Sequence, residues 1–248
     1  MHRKTDIVLI LGSGPNAREA ADWPRDAFDR IVAINNAWQV RPDWDDLICP
    51  EDFPAARRPA GLQPGQRLIE ADRFVPAQNA WGGFVFAGGT MAFTAGYWAL
   101  YALRPRVIAF MGCDMVYPGT GPTHFYGTGT ADPLRADVTL RDLGAKSARL
   151  ALVAARQGCL CANLSEDRSE LLLPRLRPRD LRRGDLQLPG TAQTDRLLAR
   201  EQALGYDVPS GRYWEQSARF DADALAALDA EWRAALGAGG QNRRIIAA

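Results

Sequence analysis

The stretch Asp6-Ile7-Val8-Leu9-Ile10-Leu11, followed by Gly12-Ser13-Gly14-Pro15-Asn16-Ala17, decides the fold of this chain. Its first half is a continuous apolar run, which is typical of a strand buried on both faces of a parallel sheet. Its second half is a turn, because two glycines allow a sharp bend and a close approach to a ligand. Pro15 suits the first turn of a helix, whose free N–H groups and positive end favour a phosphate. The stretch therefore predicts a strand, a phosphate-binding turn and a helix.

The spacing of the small residues in this turn matches the permissive form of the dinucleotide-binding fingerprint. That fingerprint also requires Asp or Glu after the second strand, where the carboxylate holds a ribose. The second strand predicted here is Arg30–Ile34, and Asn35 and Asn36 follow it. Their amides suit the edge of a base or a ribose, or alternatively they close the strand in an Asx turn. Amides in place of the acid indicate a nucleotide other than NAD.

Strand and helix patterns alternate along the first two thirds of the chain. The predicted strands cover residues 6–11, 30–34, 44–50, 67–69, 73–75, 106–111 and 158–163, and the clearest later helices cover residues 91–103 and 139–157. This alternation predicts an α/β fold, a Rossmann-like three-layer sandwich with a mainly parallel sheet. Residues 50–82 and 115–137 are long loops, and we expect them to close over a ligand.

The character of the sequence changes near residue 175. We expect a nucleotide-binding domain over residues 1–175 and a linker with a small helical C-terminal extension over residues 176–248. The arginine-rich run from residue 175 to residue 183 is interpreted as a solvated linker. Two helices are predicted near residues 191–205 and 221–236, and an apolar stripe indicates that the second packs on the main domain. The stripe consists of Leu225, Leu228, Trp232 and Leu236, and the residues from Gly237 onward are expected to fray.

Composition excludes several classes of partner. A net charge of +1 gives the chain no overall basic excess, so we expect no nucleic-acid partner. No stretch reaches the roughly 18 apolar residues of a membrane span, and Met1-His2-Arg3-Lys4 leads into the first strand without an apolar signal region. We therefore expect a cytoplasmic protein without a transmembrane segment. Peripheral membrane contact and homo-oligomerisation stay open. The four cysteines are expected to be buried thiols rather than metal ligands.

Residues that could do chemistry follow strand ends that should meet at one edge of the sheet. Asp114 follows the predicted strand 106–111 and could bind a ribose hydroxyl, a metal or the amides of its own turn. His124 lies in the loop beyond it. Its imidazole titrates near neutrality, so it could take a proton from an acceptor hydroxyl, or it could simply bond a carbonyl.

Two further sequence features at this edge of the sheet each have a functional and a structural interpretation. Tyr117 and Tyr126 could donate hydroxyls to a phosphate leaving group, or they could shield the loop's own core. Gly88-Gly89-Thr90 opens the predicted helix 91–103. It is either a second anion-binding turn or an ordinary helix entry.

Taken in order, these segments resemble the bacterial family 42 sialyltransferases. They also resemble a wider group that includes archaeal 6-hydroxymethylpterin diphosphokinases and flagellin-glycosylation accessory proteins. The shared layout spans residues 6–176. It comprises a Gly-x-Gly-Pro-Ser/Asn turn, an Asn after the second strand, a small-residue helix entry, a strand ending Gly-x-Asp, an aromatic loop, and a helix feeding a short strand. Here these are residues 12–16, Asn35, 88–90, 112–114, 117–126 and 146–163.

The resemblance implies a glycosyltransferase that uses a CMP-linked acidic sugar, transfers it to a glycan acceptor and requires no cofactor. By position, Asn16 and Asn35 would contact the nucleotide, the two tyrosines the phosphate, and His124 would be the base. His124 is a substitute, because the sialyltransferase base lies nearer the next helix, where this chain has Asp137 and Arg141. The expected nucleotide-binding residues are Gly12, Ser13, Gly14, Pro15, Asn16, Asn35, Asn36, Gly88, Gly89, Thr90, Gly112 and Asp114, and the expected catalytic residues are Asp114, Tyr117, His124 and Tyr126.

Two alternatives stay open. The first is a pyrophosphokinase of the 6-hydroxymethylpterin diphosphokinase type, in which Asp114 with Glu51 or Asp52 would hold the Mg²⁺ of Mg-ATP. Only this alternative involves a metal. The second is a non-catalytic nucleotide-binding protein in glycan assembly.

Overall fold

A single all-parallel sheet forms the centre of the molecule. The computed structural model describes residues 5–117, 120–128 and 137–239, so the predicted loop 115–137 and the chain end lie partly outside it. The six strands are β1 (Ile7–Leu11), β2 (Arg30–Ile34), β3 (Asp46–Ile48), β4 (Arg67–Ile69), β5 (Val107–Met111) and β6 (Leu160–Asn163), in the spatial order β4-β3-β2-β1-β5-β6. The chain moves outward from β1 to β4 and then returns to the other side of β1. The strand order therefore reverses between β1 and β5.

Six α-helices and several 3₁₀ helices surround the sheet. The α-helices are α1 (Ala71–Asn79), α2 (Phe84–Ala87), α3 (Met91–Ala102), α4 (Leu143–Ala155), α5 (Thr194–Leu204) and α6 (Ala222–Gly239). The 3₁₀ helices are Pro15–Asp22, Arg25–Ala27, Asn35–Gln39, Ala55–Arg57, Val138–Leu140, Pro178–Asp180 and Tyr213–Arg219. The predicted Rossmann-like α/β sandwich is confirmed.

The apolar run of β1 is buried on both faces of the sheet. Val8 and Ile10 join a core with α3, α4 and α6, whereas the alternate residues of β1 join a second core. This second core contains Ala17 and Ala20 of the 3₁₀ helix Pro15–Asp22 and also residues of the segment after β6. Because successive strand residues point to opposite faces, a fully apolar strand is what two covered faces require.

One local prediction is wrong, and the structure specifies the helix type of a second. Residues 73–75 are not a strand; they lie in α1, where Phe74, Ala77 and Gln78 are buried at helical spacing. The helix after β1 is a 3₁₀ helix, and its buried residues Ala17 and Ala20 are three positions apart, as its three residues per turn demand.

The arginines of the predicted linker are all exposed, as expected, but the segment that carries them packs on the sheet through its apolar residues. Arg175 pairs with Asn163 of β6 in a parallel bridge, and its guanidinium donates to the carbonyls of Ser165 and Asp167. Leu181 is fully buried. The apolar stripe of α6 packs on the main core as expected, with Leu225, Leu228 and Trp232 buried and Leu236 partly buried. Helix α6 continues through Gly239, so fraying does not begin at Gly237.

Two further results concern the sequence as a whole. All four cysteines are buried and unpaired. None of the helices in the part of the chain that the structure describes is long and apolar enough to cross a membrane.

Candidate functional site

A cavity of about 630 Å³ opens at the carboxyl edge of the sheet, beyond the ends of β1 and β5. Ligands of open α/β sheets bind at this edge, where the strand order reverses. The structure brings thirteen of the predicted site residues to its wall: Gly12, Ser13, Gly14, Pro15, Asn16, Asn35, Asn36, Thr90, Gly112, Asp114, Tyr117, His124 and Tyr126. Gly88 and Gly89 do not line it.

The glycines of the first turn serve a different purpose from the one expected. The N–H of Gly12 donates to the carbonyl of Met111 and that of Gly14 to the carbonyl of Gly112, each at 2.8 Å. A Cβ atom on Gly14 would lie 2.9 Å from the Gly112 oxygen. The glycines therefore let the turns after β1 and β5 touch. Their own N–H groups are already bonded, so these two N–H groups are not available to a phosphate.

Asp114 is held by two side-chain amides. The Nδ2 atom of Asn16 donates to its Oδ2 at 2.8 Å, and that of Asn163, at the end of β6, donates to its Oδ1 at 3.1 Å. Asn16 also donates to Ser165 and Asp167. Because a carboxylate only accepts hydrogen bonds, Nδ2 of Asn16 must face Asp114. The Oδ1 atom of Asn16 is buried without a hydrogen-bond partner among the described residues.

The amides after β2 also lie at the cavity wall. Asn35 has φ +51, in the left-handed region that Asn tolerates better than most residues. Its Oδ1 atom is buried without a hydrogen-bond partner in the described part of the chain. Asn36 is almost fully buried. Both amides begin the 3₁₀ helix Asn35–Gln39, so this strand end continues as a helix and not only as a closing turn.

The glycines at the entry of α3 pack against side chains rather than a ligand. A Cβ atom on Gly89 would lie 2.8 Å from the hydroxyl of Tyr213, and one on Gly88 would lie 2.7 Å from the ring of Phe93. Thr90 is the N-cap of α3, since its hydroxyl accepts from the N–H of Phe93 at 3.3 Å. Of the two interpretations of Gly88-Gly89-Thr90, an ordinary helix entry explains why glycine is needed at both positions.

His124 is held in the loop that covers the turn after β1. The N–H of Phe125 donates to the carbonyl of Ser13 at 3.0 Å. The His124 ring stacks on Tyr126 with centroids 4.9 Å apart, and its Nδ1 lies 2.8 Å from the hydroxyl of Thr123. Burial lowers the pKa of His124, which favours the neutral form of its imidazole. A neutral imidazole is the form that a general base requires.

The two tyrosines are placed differently. Tyr117 is half-buried and packs against the main core, whereas Tyr126 is 41% exposed. Both line the cavity. Tyr126 therefore offers its hydroxyl more freely than Tyr117 does.

Several charged residues at the wall were not predicted, namely Arg57, Asp167 and Arg168. Arg57 ends the short 3₁₀ helix Ala55–Arg57, and Asp167 and Arg168 lie in the irregular segment after β6. No local sequence pattern marks the three as site residues. Asp137, noted near the position of the sialyltransferase base, accepts from Tyr213 at 2.9 Å and caps the 3₁₀ helix Val138–Leu140. Over the described residues, no group of three or more His, Cys, Asp or Glu side chains could hold a metal ion.

Comparison of the chain with models of known protein families, with curated proteins and with solved structures finds no match.

Proposed function

We propose that this protein is a glycosyltransferase-like enzyme that uses a nucleotide-activated sugar, with a CMP-linked acidic sugar as the donor and a glycan as the acceptor. One observation carries the proposal: a single cavity at the reversal of strand order joins amide side chains to a loop with a partly buried histidine. Its volume of about 630 Å³ lies within the range of about 300–1,000 Å³ for small-molecule sites.

In this proposal each group has a distinct role. Asn35 and Asn36 contact the nucleoside, because amides supply both donors and acceptors. His124 takes the proton from the acceptor hydroxyl, whose oxygen then attacks the anomeric carbon. The bond from that carbon to the phosphate oxygen breaks, and CMP leaves with the electron pair. Tyr117 and Tyr126 donate hydroxyls to the leaving phosphate. Asp114 acts through Asn16, whose amide it orients.

The N–H groups of Gly12 and Gly14 already donate to backbone carbonyls, and this also favours a mononucleotide over a dinucleotide as the ligand. A dinucleotide fingerprint places the pyrophosphate on this turn and the ribose on an acid after β2. Here the N–H groups of both glycines are bonded within the protein, and Asn35 and Asn36 stand where the fingerprint has the acid. The protein should therefore respond to cytidine nucleotides and not to NAD.

The test combines binding and turnover. Thermal shifts should rise with CMP but not with NAD, since ligand at 100 times its Kd adds about 2.7 kcal/mol to stability. His124→Gln should lower kcat for transfer from a CMP-linked acidic sugar by about 10²–10⁴-fold and leave the Kd of CMP unchanged. His2→Gln is the control at the other histidine. Full turnover by His124→Gln would refute the assigned base. Loss of activity in EDTA would favour the Mg-ATP pyrophosphokinase. Tight nucleotide binding without turnover would favour the non-catalytic alternative.

A further inference from the structure

The first turn, Gly12-Ser13-Gly14-Pro15-Asn16-Ala17, offers an anionic ligand in this cavity no cationic side chain. The N–H groups of Gly12 and Gly14 are bonded to backbone carbonyls, and Pro15 has none. Burial lowers the pKa of His124, which disfavours its cationic form. A phosphate or carboxylate must therefore find its charge partner elsewhere on the wall.

Two cationic side chains line the cavity within the described residues, Arg57 and Arg168. Arg168 lies 3.9 Å from Glu170 and follows Asp167, which together with Asp114 makes its side of the cavity acidic. Arg57 differs. In the described part of the chain the structure gives its guanidinium no ion pair and no hydrogen bond, although Asp52 lies on the same wall.

The backbone of Arg57 is fixed even though its side chain is free. Its N–H donates to the carbonyl of Pro54 at 2.9 Å, and its carbonyl accepts from Nε1 of Trp38 at 2.9 Å. The first bond closes the 3₁₀ helix Ala55–Arg57, and the second ties it to the 3₁₀ helix Asn35–Gln39, which also carries Asn35 and Asn36. The entry of α3 lies on the same wall, at Thr90 and Met91, and the positive end of a helix adds to the attraction for an anion.

We propose that Arg57 is the oxyanion-binding residue of this cavity and sets its preference for an anionic donor. The planar guanidinium forms paired hydrogen bonds with a phosphate or a carboxylate, and these bonds are stronger than neutral ones. The inference rests on the proposed function only in naming the donor. A CMP-linked acidic sugar carries both groups, so the bound oxyanion belongs to the phosphate or to the sugar.

The neighbouring residue supplies a matched control. Arg58 pairs with Glu70 at 2.7 Å and does not line the cavity. Arg57→Gln and Arg58→Gln therefore remove the same charge one residue apart, one at the wall and one away from it. Arg57 is exposed, so its replacement leaves the core intact.

The experiment measures the Kd of CMP, of cytidine and of a CMP-linked acidic sugar by calorimetry for the wild type and both variants. If Arg57 holds the phosphate, Arg57→Gln raises the Kd of CMP about tenfold and leaves the Kd of cytidine unchanged. If Arg57 holds the sugar carboxylate, the substitution raises the Kd of the CMP-linked sugar only. Either result supports the inference provided that Arg58→Gln behaves as the wild type. Unchanged affinities in Arg57→Gln, or equal losses for CMP and cytidine, overturn it.

Failure of the proposed function would give a different result. If the wild type binds no cytidine compound, the donor assignment fails, and inorganic phosphate and pyrophosphate then test Arg57 alone. Thermal stabilisation by these anions that persists in Arg58→Gln and disappears in Arg57→Gln still supports an oxyanion site. Equal responses in all three proteins, or none, refute it.

Discussion

Two non-glycine residues with left-handed backbone line the same cavity, Asn35 with φ +51 and Met115 with φ +56. An L-residue in this conformation costs about 1–2 kcal/mol, and Met lacks the short polar side chain that lets Asn adopt it more readily. Such strain persists only where the surroundings impose it, and it concentrates at binding sites. Met115 directly follows Asp114, so the amides that hold Asp114 also hold the strained residue.

The protonation of His124 can be measured directly, because the chain contains only one other histidine, His2. Burial lowers the pKa of His124 below its usual value of about 6.5. We expect one imidazole C2–H resonance in a proton NMR titration to move below pH 6.5 and to be missing in His124→Gln. A resonance of His124 that titrates at or above 6.5 would contradict the buried placement.

The same shift has a consequence for stability. Because the folded pKa of His124 is lower than the unfolded one, the unfolded chain binds more protons as the pH falls. The contribution to stability is present above about pH 6.5 and is lost as the pH falls through the folded pKa. Unfolding by urea should therefore show a steeper loss of stability on acidification in the wild type than in His124→Gln.

At the scale of elements, sequence patterns predicted the positions of strands more reliably than they predicted the roles of turns. The apolar runs of β1, β2 and β5 predicted their positions closely, because burial on both faces leaves a continuous signal. Helix α1 was missed because Pro76 lies inside it and its segment is rich in turn residues. The cavity residue Arg57 was also missed, since only the folded chain brings its loop to the strand ends.

The first turn illustrates what a sequence leaves open. A glycine signature says that something approaches the backbone closely, but not what approaches it. Here the partner of Gly14 is the Gly112 carbonyl of the same chain, and a ligand phosphate would leave the same pattern.

Replacement of Gly14 tests this packing role. A Cβ atom at Gly14 would lie 2.9 Å from the Gly112 oxygen, so Gly14→Ala must push the turns after β1 and β5 apart. We expect a loss of about 1–3 kcal/mol in the free energy of unfolding, as for other overpacked sites. Gly61→Ala is the matched control, because nothing lies within 4 Å of its added Cβ. Equal stability of the two variants, measured by urea unfolding, would show that the turns do not need this contact.

At the scale of the whole molecule, the C-terminal helices are joined to the main core by buried charges. Helix α4 carries Lys146 and Arg149, each about 1% exposed. Lys146 pairs with Asp229 of α6 at 2.9 Å, and Arg149 pairs with Glu201 of α5 at 2.6 Å. Arg149 also donates to the hydroxyl of Tyr97 in α3. Buried cations need such partners, so α4 depends on the helices that follow the linker.

Removal of one partner should therefore be far more damaging than removal of a surface acid from the same helices. Glu201→Gln leaves the Arg149 cation buried without a counter-charge, and breaking a buried pair in this way typically costs about 3–5 kcal/mol. Glu231→Gln is the control, because its partners Arg196 and Arg200 are exposed and such pairs contribute at most about 1 kcal/mol. Urea unfolding should give a much lower midpoint for Glu201→Gln with an unchanged slope. Similar midpoints for the two variants would mean that the C-terminal helices are held by apolar contact alone, through the stripe of α6 and without the charges of α4.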